Sequence, residues 1–165
     1  MTHNIRKAHI EDSQIILDFI KELAHYENLE NHVVATVKNI QQTLFCENPK
    51  AEALILEVDQ NPAGFALFFH NYSTFLGKHG IYIEDIYVQE KYRGQGLGKS
   101  LLNHICSIAK DRDCGRVEWW CLDWNKPSID FYIKLGAKPM SDWTVYRLEK
   151  EQIEIMVKEN NGNNP

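Results

Sequence analysis

Between residues 92 and 100 the chain reads Tyr92-Arg93-Gly94-Gln95-Gly96-Leu97-Gly98-Lys99-Ser100, with glycine at every second position from 94 to 98. The run before it, Gly80 to Val88, is rich in Ile and Tyr and reads as a strand, whereas Leu97, Leu101, Leu102, Ile105 and Ile108 recur at helical spacing. A strand therefore passes into a helix through a turn made largely of backbone. Glycines there let successive N–H groups converge on an anion at the helix N-terminus, where unsatisfied donors and the positive end of the helix dipole already favour negative charge. An α/β fold with a phosphate-bearing ligand held at this turn is the first expectation.

Spacing separates three ways of holding a phosphate. The pattern G-x-x-x-x-G-K-[ST] fails by one position, because Gly98-Lys99-Ser100 would need glycine where Arg93 stands. The dinucleotide pattern G-x-G-x-x-G also fails, since Gly94 and Gly96 are followed by glycine at 98 and not at 99. The pattern R-x-x-G-x-G does match, at Arg93, Gly96 and Gly98.

The rest of the chain supplies a frame for this turn. A short strand near Asn4 to Lys7 precedes an amphipathic helix carrying Ile16, Phe19, Ile20 and Leu23, with Asp12 or Ser13 as its cap. A second helix runs from a Thr36 cap through Val37, Ile40 and Leu44 and stops before Asn48-Pro49. Ala53 to Val58 and Ala63 to Phe69 flank a turn at Asp59-Gln60-Asn61-Pro62 and read as a hairpin. Beyond the glycine turn, Arg116 to Leu122 is β-like, with Trp119 and Trp120 directed to opposite faces. Asn125-Lys126-Pro127 opens a helix that Gly136 closes, and Val145 to Leu148 is expected to complete the sheet. The predicted order is β-α-α-β-β-β-turn-α-β-α-β, a mixed α/β domain.

With 165 residues, 44% apolar and 25% charged, the chain is the size and composition of one soluble domain with a sizeable core. No run approaches the ~20 apolar residues of a bilayer-spanning helix, and no leader-type stretch opens the chain, so a cytoplasmic location is expected. Its 18 basic and 23 acidic residues give a net charge of −5, which argues against a nucleic-acid or anionic-membrane partner. The four cysteines (Cys46, Cys106, Cys114, Cys121) form no C-x-x-C pair and read as free, mostly buried thiols. His3, His9, His25, His32, His70, His79 and His104 are scattered, and no metal is expected.

Several further strings fall in order around the turn: Lys21-Glu22-Leu23-Ala24-His25-Tyr26-Glu27, Tyr82-Ile83-Glu84-Asp85-Ile86-Tyr87-Val88, Leu122-Asp123-Trp124-Asn125, and Asn125-Lys126-Pro127-Ser128-Ile129-Asp130-Phe131-Tyr132. Together with R-x-x-G-x-G they make the chain, over about Ile5 to Leu148, resemble the GNAT superfamily of acetyl-CoA-dependent N-acetyltransferases. Within it the likeness is to the diamine branch, the spermidine/spermine and thialysine N-acetyltransferases. Phe75 stands where the spermidine/spermine enzymes carry a tryptophan, one residue further from Glu84, and the Glu-Asp-Ile-Tyr-Val and Leu-Asp-Trp-Asn strings look closer to the thialysine type.

The resemblance implies a GNAT fold: a mixed, mostly antiparallel twisted sheet flanked by helices and splayed in the middle, in one domain over 1–165. Its core would span about 5–148, with a C-terminal helix and frayed tail over 149–165. It implies acetyl transfer from acetyl-CoA to the primary amine of a small diamine, polyamine or lysine-like molecule, by direct attack in a ternary complex and within a homodimer. An alkylamine with pKa about 10.4 arrives protonated, so a base is needed, and Glu84 takes that role by resemblance. Tyr132, protonated at neutral pH, would return a proton to the departing thiolate.

By the same resemblance the main chain at Ile86, Tyr87 and Val88 would meet the acetyl and pantetheine groups. Arg93, Gly94, Gln95, Gly96, Leu97, Gly98 and Lys99 would cradle the pyrophosphate. Asn125, Ser128 and Tyr132 would line the cofactor arm, and Tyr26, Glu27, Glu84 and Asp85 the amine. Plainer roles exist for several of these: helix capping for Asn125 and Ser128, core packing for Tyr132, a solvated strand acid for Glu84. A strand bulge near Glu84 and Asp85 would bring both carboxylates toward the substrate. Other acceptors (a protein N-terminus, a lysine side chain, an aminoglycoside) and a non-catalytic acyl-CoA-binding module are the competing functions.

Overall fold

The computed structural model describes residues 2–162, with side chains described through residue 158. By internal contacts the chain divides into two compact units, Met1–Trp120 and Cys121–Pro165. The first holds a five-stranded sheet in the order β1-β2-β3-β4-β5: β1 (His3–Lys7), β2 (Glu52–Val58), β3 (Asn61–Ser73), β4 (Lys78–Val88) and β5 (Val117–Trp119). β1 through β4 pair antiparallel, and β5 joins β4 in parallel. The sheet is thus mixed and mostly antiparallel.

Both faces of its centre are buried. Ile55, Phe65 and Tyr87 are cross-strand neighbours on one face, and they meet α1 (Ser13–Glu27) and α2 (Val37–Leu44) in one apolar cluster. Phe19 of α1 stacks on Phe65 at 5.8 Å between ring centres and lies 6.1 Å from Tyr87. The opposite face presents Leu54, Ala66, Ile81 and Ile83, all buried, and α3 (Leu97–Asp111) runs along β4 with Leu101 and Ile105 fully buried.

Caps follow the sequence, with one shift of role. Thr36 Oγ1 accepts from the Asn39 N–H at 3.2 Å, as its type predicts. Asp12 takes the N-cap position of α1, but its carboxylate accepts from the His9 N–H at 2.7 Å and pairs with Arg6 at 2.7 Å. It therefore caps the preceding turn and ties it to β1, since Arg6 also reaches Glu57 on β2.

The second unit contains α4 (Lys126–Lys134) and α5 (Lys150–Gly162). The strand expected at Val145 to Leu148 is not formed. Val145, Tyr146 and Leu148 are exposed, and no strand among the described residues of this unit offers a ladder for them to join. The β-like run over Arg116 to Leu122 shortens to β5, which pairs with β4 only at Ile81–Ile83. Residues 160–162, expected to fray, continue α5, whereas 163–165 lie outside the described residues. All four cysteines are free, but Cys46 and Cys106 are exposed and Cys114 and Cys121 half-buried, so the expectation of mostly buried thiols is corrected.

Two substitutions test the packing. A methyl at Gly64 would run into the carbonyl oxygen of Tyr87 across the β3–β4 ladder. Gly64→Ala should therefore lower unfolding free energy by about 1–3 kcal/mol. Phe19→Ala, which removes the ring stacked on Phe65, should cost about 3–5 kcal/mol. Urea unfolding followed by tryptophan fluorescence checks both, and a wild-type midpoint in Gly64→Ala would contradict the close approach.

Candidate active site

The β3–β4 ladder carries a register shift: Leu67 faces Asp85, but Phe68 faces Ile83. Glu84 is the extra residue, a β-bulge on β4. A bulge reverses the in–out alternation beyond it. Ile81 and Ile83 point toward α3, yet Asp85 lies opposite Leu67, on the face that also carries Tyr87 and α1. Glu84 stays exposed on the bulge and Asp85 is half-buried. β5 leaves β4 after Ile83, so Asp85 to Val88 have β3 on one side and, among the described residues, no ladder partner on the other. That is the splay in the sheet.

The electrostatics of this stretch are unusual. Burial first, then the neighbouring charges of Glu84 and Glu27, push the Asp85 carboxyl up to about 7. Glu27, half-buried at the C-terminal end of α1, is also raised, by burial. The structure thus brings together three of the four expected amine-contacting residues as one acidic group. The fourth, Tyr26, meets the glycine turn: the Arg93 guanidinium stacks over its ring at 4.6 Å, and over Tyr87 at 5.6 Å. Arg93 Nε also donates to the Val88 carbonyl at 3.0 Å, pinning the turn to the end of β4.

Glu22 was not expected from the sequence. It accepts from Tyr87 Oη at 3.0 Å and from Gln89 Nε2 at 3.1 Å. Burial and this carboxylate push the Tyr87 phenol up to about 12. Glu22 lies one turn of α1 before Tyr26, a spacing that marks a shared face but not a partner on β4.

In the turn itself, Gly94 (φ 75°) and Gly96 (φ 80°) occupy left-handed backbone that other residues avoid, and Gly96 is the N-cap of α3. Ser100 N–H makes an intrahelical bond to Gly96 at 3.0 Å, so the amides of Leu97, Gly98 and Lys99 precede the helical ladder. Gly98 is different. Its φ is ordinary, and a Cβ there would meet nothing within 4 Å, although glycine in a helix costs about 1 kcal/mol relative to alanine. Among the described residues nothing requires the missing side chain, which leaves open space beside the amides of Leu97 to Lys99. The turn fits the pyrophosphate of acetyl-CoA.

In the second unit, Asn125 is buried and its Oδ1 accepts from Ser128 N–H at 3.4 Å as the N-cap of α4, with Pro127 in the first turn. Tyr132 is half-buried on α4, its ring 5.3 Å from Phe131. Capping is therefore present for Asn125, with Ser128 supplying the backbone N–H that it caps. The reading of all histidines as scattered is corrected: His70, His79 and Cys114 bring one ligand atom each to within 4.8 Å of the others.

The acetyltransferase (GNAT) family model matches residues 18–137. The chain is 36% identical over 158 residues to the thialysine N-epsilon-acetyltransferase of Sus scrofa, covering 89% of this chain and 92% of that protein. It is 31% identical over 205 residues to the L-ornithine N5-acetyltransferase of Arabidopsis thaliana, covering 97% and 90%. An integron cassette protein of V. cholerae superposes with a TM-score of 0.80 at 21% identity, over 96% of this chain and 99% of that one, a likeness of fold. A sheet that splays beside a glycine turn, with this match across most of its length, makes the chain a member of the acetyltransferase (GNAT) family. It is an acetyltransferase, and the family's cosubstrate is acetyl-CoA.

The raised Asp85 carboxyl has a sign that can be checked. Its protonated form is the one the fold favours, so the stability linked to it is complete below about pH 4 and is lost as pH rises through about 7. Asp85→Asn removes that loss. The unfolding free energy of the variant, measured in urea, should rise relative to wild type between about pH 4 and pH 7, by up to about 4 kcal/mol. A difference that stays constant across this range would show an ordinary carboxyl at 85.

Proposed function

We propose that the enzyme transfers the acetyl group of acetyl-CoA to the terminal primary amine of a small lysine-like, diamine or polyamine substrate by direct attack in a ternary complex. The observation that carries this reading is the acidic group of Glu27, Glu84 and Asp85, joined through Tyr26 and Arg93 to the glycine turn. Relatives named for thialysine and L-ornithine, each acylated on a side-chain amine, support the same class of acceptor.

An ammonium is drawn to this cluster and must lose its proton before its nitrogen can attack. Glu84, exposed on the bulge, and Asp85 behind it form the accepting pair. The Asp85 carboxyl, pushed up to about 7 by burial and the neighbouring acids, holds a proton far better than an ordinary aspartate. The freed amine attacks the thioester carbonyl, a C–N bond forms and the C–S bond breaks. Main-chain N–H groups that face the unpaired side of β4 within Ile86 to Val88 would stabilise the oxyanion. Tyr132 would deliver a proton to the leaving thiolate.

For the cofactor, the backbone of Arg93 to Lys99 would hold the pyrophosphate, with Asn125 and Ser128 beside the pantetheine arm and no metal needed for the transfer. Arg93 would orient the turn against Tyr26. The reading includes a cytoplasmic homodimer, which the exposed Trp143, Val145, Tyr146 and Leu148 of the second unit support.

The test is thiol release from acetyl-CoA with thialysine, ornithine, lysine, putrescine, spermidine, spermine, an aminoglycoside and a lysine-containing peptide. Turnover should concentrate on the small amines with a free terminal amino group. Preference for the peptide or the aminoglycoside would redirect the acceptor, and CoA binding without turnover on any amine would leave a binding module. Glu84→Gln and Asp85→Asn should each lower kcat/KM by about 10²-fold or more, and Asp85→Asn should also abolish an acid limb near pH 7. Tyr132→Phe should lower kcat with CoA affinity unchanged.

A further inference from the structure

We propose that His70, His79 and Cys114 form a binding site for one divalent transition-metal ion of the zinc class, separate from the acidic cluster and the glycine turn. The three residues come from three segments. His70 on β3 lies opposite Ile81, and His79 on β4 lies opposite Tyr72, so the imidazoles are diagonal neighbours on one face of the hairpin, with ring centres 5.0 Å apart. Cys114 follows α3 on the same face. It is fixed there by backbone bonds: its own N–H reaches Ala109 O at 2.8 Å, and the Gly115 N–H reaches His79 O at 2.9 Å.

The hydrogen bonds set both tautomers for ligation. An arginine can only donate, and Arg112 Nη1 lies 3.0 Å from His70 Nε2, so that nitrogen holds a lone pair. The proton is then on Nδ1, which donates to Gly80 O at 2.9 Å. His79 Nε2 donates to Arg112 O at 2.9 Å, leaving the lone pair on Nδ1. Each imidazole thus has one N–H anchored on a backbone carbonyl and a lone pair on its other nitrogen, the arrangement that orients histidines at metal centres, although at His70 that lone pair is now taken by Arg112.

Size and charge agree. Zinc bonds of about 2.0–2.3 Å to nitrogen and sulfur put tetrahedral ligands roughly 3.3–3.7 Å apart, and one ring nitrogen of each histidine and the Cys114 sulfur already lie within 4.8 Å of one another. Small side-chain rotations close the site, with water as the fourth ligand. Two imidazoles and a thiolate suit zinc, cobalt, nickel or copper and not magnesium or calcium. The nearest fixed cations are already countered: Arg112 is paired with Glu52 by two hydrogen bonds, and Lys78 with Asp113 at 2.8 Å. Binding would displace the Arg112–His70 bond, leave the Arg112–Glu52 pair intact and release the Cys114 thiol proton to solvent.

The full-length protein, stripped with a chelator, tests this with cobalt(II) and zinc(II). One cobalt per chain should give a thiolate-to-cobalt charge-transfer band with intense four-coordinate d–d bands, both bleached by zinc. Cys114→Ser should lose the charge-transfer band. His79→Gln, which keeps a donor for the Arg112 carbonyl, should weaken zinc at least about 10-fold against a metallochromic indicator. Zinc should raise the Tm of the wild type and not of Cys114→Ser. Circular dichroism and undiminished acetyl transfer confirm that the variants fold. No binding, a thiolate band that survives Cys114→Ser, or zinc affinity unchanged in His79→Gln would overturn the site.

Discussion

The pairing of β3 with β4, and the single extra residue within it, decides both what this domain packs and where its chemistry lies. Strand side chains alternate strictly, so an unbulged β4 that buries Ile81 and Ile83 against α3 would send Asp85 and Tyr87 to the same side. The slip at Glu84 changes the phase. Tyr87 then packs with Phe19 and Phe65 under α1, Asp85 turns toward Glu27, and Glu84 projects from the kink. A carboxylate that would be solvated on a regular strand becomes one of a coupled set because the chain needs two buried faces from one strand.

The loss of β5 after Ile83 acts with the bulge. A sheet with β5 paired along the whole of β4 would consume the main-chain donors within Ile86 to Val88 that face away from β3. Parallel pairing limited to Ile81–Ile83 keeps the sheet joined below the bulge and open above it. The turn that follows is pinned from the same strand, since Arg93 holds the Val88 carbonyl while stacking on Tyr26 and Tyr87. One arginine therefore couples the glycine turn to the helix that presents Glu27. Position 98 stands apart in that turn, because its glycine is explained by neither backbone angle nor crowding among the described residues.

Local signals made much of this legible. Helical periodicity and caps located α1 to α4, and β-like runs between turn signals located β1 to β4, because those signals are carried by each segment's own residues. The glycine spacing identified the turn for the same reason. Non-local facts were hidden. The apolar spacing of Val145 to Leu148 resembles a strand, but a strand exists only where another offers a ladder, and sequence spacing carries no such information. The bulge could be suspected from the Glu84-Asp85 pair, yet its register depends on packing against both helix layers. Glu22 and the cluster of His70, His79 and Cys114 depend on pairings between distant segments, so the histidines read as scattered until the hairpin and the end of α3 placed them.

The two ends of the β3–β4 hairpin are linked by register. His70 and His79 share a face only while β3 and β4 keep the pairing seen between the loop and the bulge; a one-residue slip would send one imidazole to the opposite side. A metal held by both histidines and Cys114 would therefore lock the segment on the loop side of Glu84 and fasten it to the end of α3. With that segment fixed, the extra residue cannot migrate toward the loop, and the phase change that directs Asp85 to the α1 face stays where the acidic cluster needs it. The ion's structural effect would thus reach the carboxylates through strand register alone, without any contact between the two sites.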